Sequence, residues 1–85
     1  MEACPCCGYL TLSERRAYDL CPVCFWEDDG NNDPDGDPGP NGVTLRDARL
    51  NFRAMGVSEE RFKHLVRAPQ SDEQPPAFQN SSETP

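Results

Sequence analysis

The sequence predicts a small, metal-stapled α+β domain, and three observations lead there. Cys4-x-x-Cys7 and Cys21-x-x-Cys24 form two thiolate hooks separated by thirteen residues. The chain has 85 residues, of which only 35% are hydrophobic. Beyond residue 44, apolar residues recur at helical spacing. Four sulfurs from two such hooks can converge on one tetrahedral ion, and Zn²⁺ is the usual occupant of such a set. A chain this short buries too little surface to stand on its core alone, so it needs a staple. The expected architecture is a zinc-ribbon-like double knuckle with a short β-hairpin, an acidic loop and one or two C-terminal helices.

Residues 1–26 make the zinc-knuckle module. Pro5 and Pro22 each follow the first cysteine of a hook, where a fixed φ helps bend the backbone around an ion. Gly8 follows Cys7, where freedom to take positive φ lets backbone N–H groups turn towards the sulfurs. Tyr9-Leu10-Thr11-Leu12 and Ala17-Tyr18-Asp19-Leu20 flank the polar Ser13-Glu14-Arg15-Arg16, a pattern for a hairpin returning the second hook to the first. Phe25 and Trp26 then supply the bulk of a minimal core.

Residues 27–43 are an acidic loop, because clustered Pro, Gly, Asp and Asn leave neither a helical nor an alternating period. Residues 44–68 are a helical segment packed on the module. Thr44-x-x-Asp47 resembles an N-terminal capping arrangement. Leu45, Ala48, Phe52 and Met55 share one face and are expected to meet Phe25 and Trp26. Gly56 is a stop signal, and Ser58-Glu59-Glu60 opens a second short helix carrying Phe62, Leu65 and Val66. A single domain thus spans 3–68. The polar, Pro-rich residues 69–85 read as a disordered tail.

Charge and cysteine usage narrow the function. No apolar run approaches a membrane span, and the N-terminus lacks the features of a secretory signal. Five cysteines without such a signal favour a reducing, cytoplasmic setting and metal ligation over disulfides. A net charge of −7 weighs against sequence-independent nucleic-acid binding, which depends on neutralising phosphates. Four thiolates leave no open position on the ion, so the site stabilises and does not hydrolyse. A redox pair competes with this reading, but two hooks and no βαβ pattern argue against it. Iron in place of zinc is not distinguished by spacing.

The remaining signals are weaker. Cys6 is the spare thiol, either an idle small residue at the knuckle tip or a reactive thiol and alternative ligand. Asn31, Asp33, Asp35 and Gly36 mimic the start of a calcium loop, but Gly42 stands where a bidentate Glu belongs. Arg46, Arg49 and Arg53 form a stripe beside the apolar helix face, with the acidic loop as the nearest counter-charge. His64 reads as a surface or helix-end residue, because four sulfurs already complete a tetrahedron.

Three segments carry a family resemblance: Cys-Pro-Cys-Cys-Gly-Tyr-Leu-Thr-Leu-Ser-Glu at 4–14, Tyr-Asp-Leu-Cys-Pro-Val-Cys-Phe-Trp-Glu-Asp-Asp-Gly at 18–30, and Asn-Gly-Val-Thr-Leu-Arg-Asp-Ala-Arg-Leu-Asn-Phe at 41–52. With Glu59-Glu60-Arg61-Phe62 and Val66-Arg67-Ala68-Pro69, they resemble the bacterial cysteine-rich CPCC family over residues 3–69. The resemblance implies a small cytoplasmic zinc-binding protein without an established activity. It implies Cys4, Cys7, Cys21 and Cys24 as ligands, and makes Cys6, Trp26 and Glu27-Asp28-Asp29 part of the recurring pattern.

The function expected from these features is a non-enzymatic interaction or adaptor protein, with one structural zinc and an acidic surface for a basic protein partner. A regulatory or immunity-type role suits that chemistry. Trp26, Glu27, Asp28, Asp29, Arg46, Arg49 and Arg53 are the candidate partner-binding residues. The alternatives are a thiol-based redox or metal sensor using Cys6 and, more weakly, a nucleic-acid-binding ribbon. No small-molecule substrate is evident.

Overall fold

A computed structural model describes residues 1–75 of the chain. Each hook closes on itself, and both do so in the same way. In the first, the Cys4 N–H donates to the Tyr9 carbonyl at 2.9 Å and the Gly8 N–H to the Cys4 carbonyl at 2.8 Å. In the second, the Cys21 N–H donates to the Trp26 carbonyl at 3.0 Å and the Phe25 N–H to the Cys21 carbonyl at 2.7 Å. The residue after each second cysteine must then be left-handed, and φ is 84° at Gly8 and 70° at Phe25. A side chain at such a position costs about 1–2 kcal/mol. Phe25 bears that cost while packing against Phe62, with ring centroids 4.6 Å apart. Phe25→Gly and Phe25→Ala both lose the ring, but only glycine relieves the backbone. In denaturant melts Phe25→Gly should therefore be the more stable by about 1 kcal/mol. The reverse order would refute the strained-knuckle account.

The strand pairing corrects the expected hairpin. Strand β1 (Glu2–Ala3) pairs antiparallel with β2 (Leu10–Leu12), with Glu2 opposite Leu12, Ala3 opposite Leu10 and an irregularity between them. The second hook is bracketed by a bridge between Leu20 and Glu27. Residues 9–12 do not pair with 17–20. Each hook is instead the tip of its own hairpin, because its turn already sets the flanking residues side by side at little loop-closure cost.

The acidic loop is built from Asx turns. Side-chain oxygens of Asp28, Asp29, Asn31, Asp33 and Asp37 each accept the N–H two residues on. This is the local reason for so many Asp and Asn residues here. Asn41 ties the base: its Oδ1 accepts the Glu27 N–H and its Nδ2 donates to the Glu27 carbonyl, both at 3.0 Å. The loop then docks on the helix start, where Arg46 donates to both Asp35 oxygens at 2.6 and 2.8 Å.

Helix α1 spans Leu45–Met55. The Thr44 hydroxyl accepts the Asp47 N–H at 3.2 Å, and left-handed Gly56 ends the helix by donating to the Phe52 carbonyl at 2.8 Å. Leu45 and Ala48 are fully buried in one cluster with Leu12, Val23, Trp26 and the knuckle cysteines. Phe52 is half-buried and meets Tyr9 edge-on, while Phe25 turns away to Phe62.

The expected second helix is only a 3-10 turn over Glu60–Phe62. The chain before and after that turn is spent on the second knuckle. The Ser58 N–H donates to the Cys24 carbonyl at 2.8 Å and the Arg67 N–H to the Pro22 carbonyl at 3.0 Å. The stretch 69–75, assigned by composition to the tail, packs back as a 3-10 turn over Ser71–Glu73 against β2. Arg67 holds the buried Glu73 carboxylate through both oxygens, at 2.9 and 2.7 Å. The rest of the expected tail, residues 76–85, lies outside the described residues. Among those described, no helix is long and apolar enough to cross a membrane.

Candidate metal centre

The two knuckles face each other and bring their sulfurs together. The Sγ atoms of Cys4, Cys7, Cys21 and Cys24 all lie within 4.8 Å of one another. Cys4 and Cys24 are 3.6 Å apart, and Cys7 and Cys21 are 3.7 Å apart. An ion bound tetrahedrally at 2.3 Å from four sulfurs separates each pair by about 3.8 Å. A disulfide would instead draw a pair to about 2 Å, and every cysteine here is a free thiol. The donor set therefore fits a thiophilic tetrahedral ion. Each close contact joins the first cysteine of one hook to the second of the other, as expected of two equivalent knuckles.

Electrostatics point the same way. Contact with Cys21, together with Cys4 and burial, pushes the Cys7 and Cys24 thiols well above their ordinary range. Cys24, Cys4, Cys7 and the Thr11 hydroxyl pull Cys21 below it. Packed sulfurs without a cation resist shedding all their protons, and a divalent ion at their centre removes that resistance.

Several supporting residues were not evident from the sequence. Thr11 is buried on β2, and its Oγ1 lies 3.0 Å from Cys21 Sγ, so the hydroxyl donates to this sulfur once it is a thiolate. The Gly8 N–H itself is taken by the Cys4 carbonyl. Carbonyls of both knuckles are capped by the C-terminal half: Pro5 by Arg49 Nε at 2.9 Å, Pro22 by the Arg67 N–H and Cys24 by the Ser58 N–H. The helix and the strap after it are thus part of the metal module. A lone polar residue inside an apolar run, as Thr11 is between Leu10 and Leu12, was the one available sequence signal.

Cys6 stands apart from the four clustered sulfurs. It is 8% exposed and occupies in its hook the place that Val23, 2% exposed, holds in the other. Its position is that of a small apolar core residue.

The candidate partner surface is corrected at two residues. Trp26 and Asp28 are fully buried, so neither offers a face to another molecule. Asp28 is the hub of the second knuckle's flank. Its Oδ2 accepts Arg15 Nε and the Arg16 N–H, and its Oδ1 accepts Arg15 and the Gly30 N–H. Burial pushes this carboxyl up, but Arg15 and the two N–H groups outweigh burial and hold it below its ordinary value. Glu27 and Asp29 are half-buried in the loop base, and the exposed carboxylates are Asp33, Asp35 and Asp37. The arginine stripe is divided among three tasks. Arg46 holds Asp35, Arg49 caps Pro5, and Arg53 is exposed. His64 is exposed outside the sulfur cluster. Among the described residues, the acidic loop forms no metal-holding group of the kind the thiols do.

A protein-family model described as Cysteine-rich CPCC matches residues 2–73, reaching beyond Pro69 to take in the Arg67–Glu73 pair. Comparison with curated proteins and with solved structures finds no significant match. The match contains both hooks, the loop clasp, the helix and the strap that caps the knuckle carbonyls, and on that extent the chain belongs to the cysteine-rich CPCC family.

Proposed function

We propose that this protein is a small zinc-binding, non-enzymatic interaction module, in which a structural ion holds the fold and the acidic loop meets a basic protein partner. The observation that carries the metal part is the closed sulfur tetrahedron, with Cys4, Cys21 and Cys24 buried. Zinc suits it because the ion is thiophilic, redox-inert and content with four thiolates. A site filled by four protein sulfurs leaves no position for water or substrate. The loop supports the partner part. Asp33 and Asp37 are exposed, their Oδ1 atoms serve local turns, and neither has an ion-pair partner among the described residues. A regulatory or immunity-type role follows if these carboxylates occupy the working surface of a basic protein.

Native mass spectrometry with and without chelator tests the first part. One zinc and four missing thiol protons are expected, and disulfides or an apo mass would overturn it. For the second part, Asp33→Asn with Asp37→Asn keeps the turn-forming oxygens and removes two charges. A basic partner recovered by the wild type at moderate salt should be lost by this double variant. Equal recovery would remove the loop from the proposal.

A further inference from the structure

We propose that the cleft over Cys7 is the port through which the metal is exchanged, and that the port selects small anionic metal acceptors. The inference rests on the metal reading above and adds a route and a selectivity to it.

Of the four ligands only Cys7 is partly exposed. It opens into a cleft of about 370 Å³ walled by Cys6, the Tyr9–Phe52 pair and Pro75, with Arg49 and Arg53 at the same opening. That volume suits a small molecule. The charge pattern says which kind. Arg15, Arg46, Arg61 and Arg67 each hold a carboxylate. Three arginines, Arg16, Arg49 and Arg53, have no carboxylate ion-pair partner among the described residues, although the chain carries fifteen Asp and Glu, and two of the three, Arg49 and Arg53, stand one helical turn apart at this cleft. Arg49 commits its Nε to the Pro5 carbonyl, and its side chain lines the cleft.

A protein of net charge −7 repels anions in general, and a divalent ion with four thiolates is itself an anion. The arginine pair reverses that repulsion at the single place where a ligand sulfur can be reached. A polycarboxylate, or a thiol bearing carboxylates, would be drawn there. Its donor atom would take the place of the Cys7 sulfur on the ion, with Cys7 taking up a proton from water and no electrons transferred, while Cys4, Cys21 and Cys24 would still hold the ion.

Zinc loss from the full-length, zinc-loaded protein should be followed against rising concentrations of nitrilotriacetate, an anion, and phenanthroline, which is uncharged. In the wild type the rate with nitrilotriacetate should rise with its concentration. Arg53→Gln should lower that slope about threefold to tenfold and Arg53→Glu further, while the phenanthroline slope is unchanged. Added salt of about 0.5 M should erase most of the difference. A wild-type rate independent of acceptor concentration would mean that zinc leaves by unfolding, and equal slowing with both acceptors would make the arginines mere stabilisers of the site. A slope that rises on protein dilution would show a second copy covering the cleft. Each of these three results overturns the port. Absence of zinc from the starting protein would instead sink the metal reading itself.

Discussion

Cys21→Ser is expected to abolish cooperative folding, and chelation of the wild type to do the same. Besides cysteines, the buried apolar side chains among the described residues are Leu12, Val23, Trp26, Leu45, Ala48 and Val57. So few are a weak core for a chain of 85 residues. Structural zinc in such peptides contributes about 10–16 kcal/mol of apparent binding free energy near neutral pH, as large as or larger than the ~4–13 kcal/mol typical for a domain of this length. Losing one buried ligand should therefore take the fold with it. Cys7→Ser should be the milder change. Cys7 reaches solvent, so water can take the vacated position, whereas Cys21 is fully buried and also receives the Thr11 hydroxyl. Circular dichroism melts with and without chelator check both. A native-like, cooperative transition in metal-free Cys21→Ser would show that the ion is not the staple.

What was legible in the sequence was local. The four-sulfur cluster follows from two three-residue spacings, and α1 from a cap at Thr44 and a stop at Gly56, each a contact within a turn or two of chain. The hairpin was misassigned because alternation in Tyr9–Leu12 names a strand without naming its partner. That partner is the charged dipeptide Glu2–Ala3, too short to show a pattern. The second helix was overextended because Ser58-Glu59-Glu60 carries a helix-start signal, while the competing use of the Ser58 N–H, the Cys24 carbonyl, lies far back in the chain. The tail was placed too early for a similar reason. Glu73 is buried only because Arg67 turns to meet it. Most consequential is the acid run. Glu27, Asp28 and Asp29 look alike in composition, and only the fold shows that Asp28 alone is fully buried.

That burial yields the second large effect. Asp28→Ala should destabilise the protein by about 2–4 kcal/mol at neutral pH, since two backbone N–H groups and Arg15 lose their acceptor together. Arg15 keeps some access to water, which limits the cost of stranding its charge. Asn is no refuge. Each Asp28 oxygen accepts two donors, so either orientation of an amide sets its NH₂ against an N–H group. Asp28→Asn should therefore fall close to Asp28→Ala, unlike Asp33→Asn and Asp37→Asn on the exposed rim. The pH dependence has a definite sign. The folded carboxyl lies below its ordinary value of 3.8, so its contribution is complete above that pH and lost as pH falls through the folded value. Acid also protonates the thiols and releases the ion, and the fold goes with it in wild type and variant alike, so the two are compared where both keep the ion. There the difference isolates Asp28 and should hold steady as pH falls from neutral, because the carboxyl stays ionised down to below its ordinary value. A difference under about 0.5 kcal/mol at neutral pH, the range of ordinary surface changes, would show that Asp28 does not hold the loop to the second knuckle. One that shrinks while both proteins still hold the ion would show that the carboxyl titrates above its ordinary value and is not held ionised by Arg15.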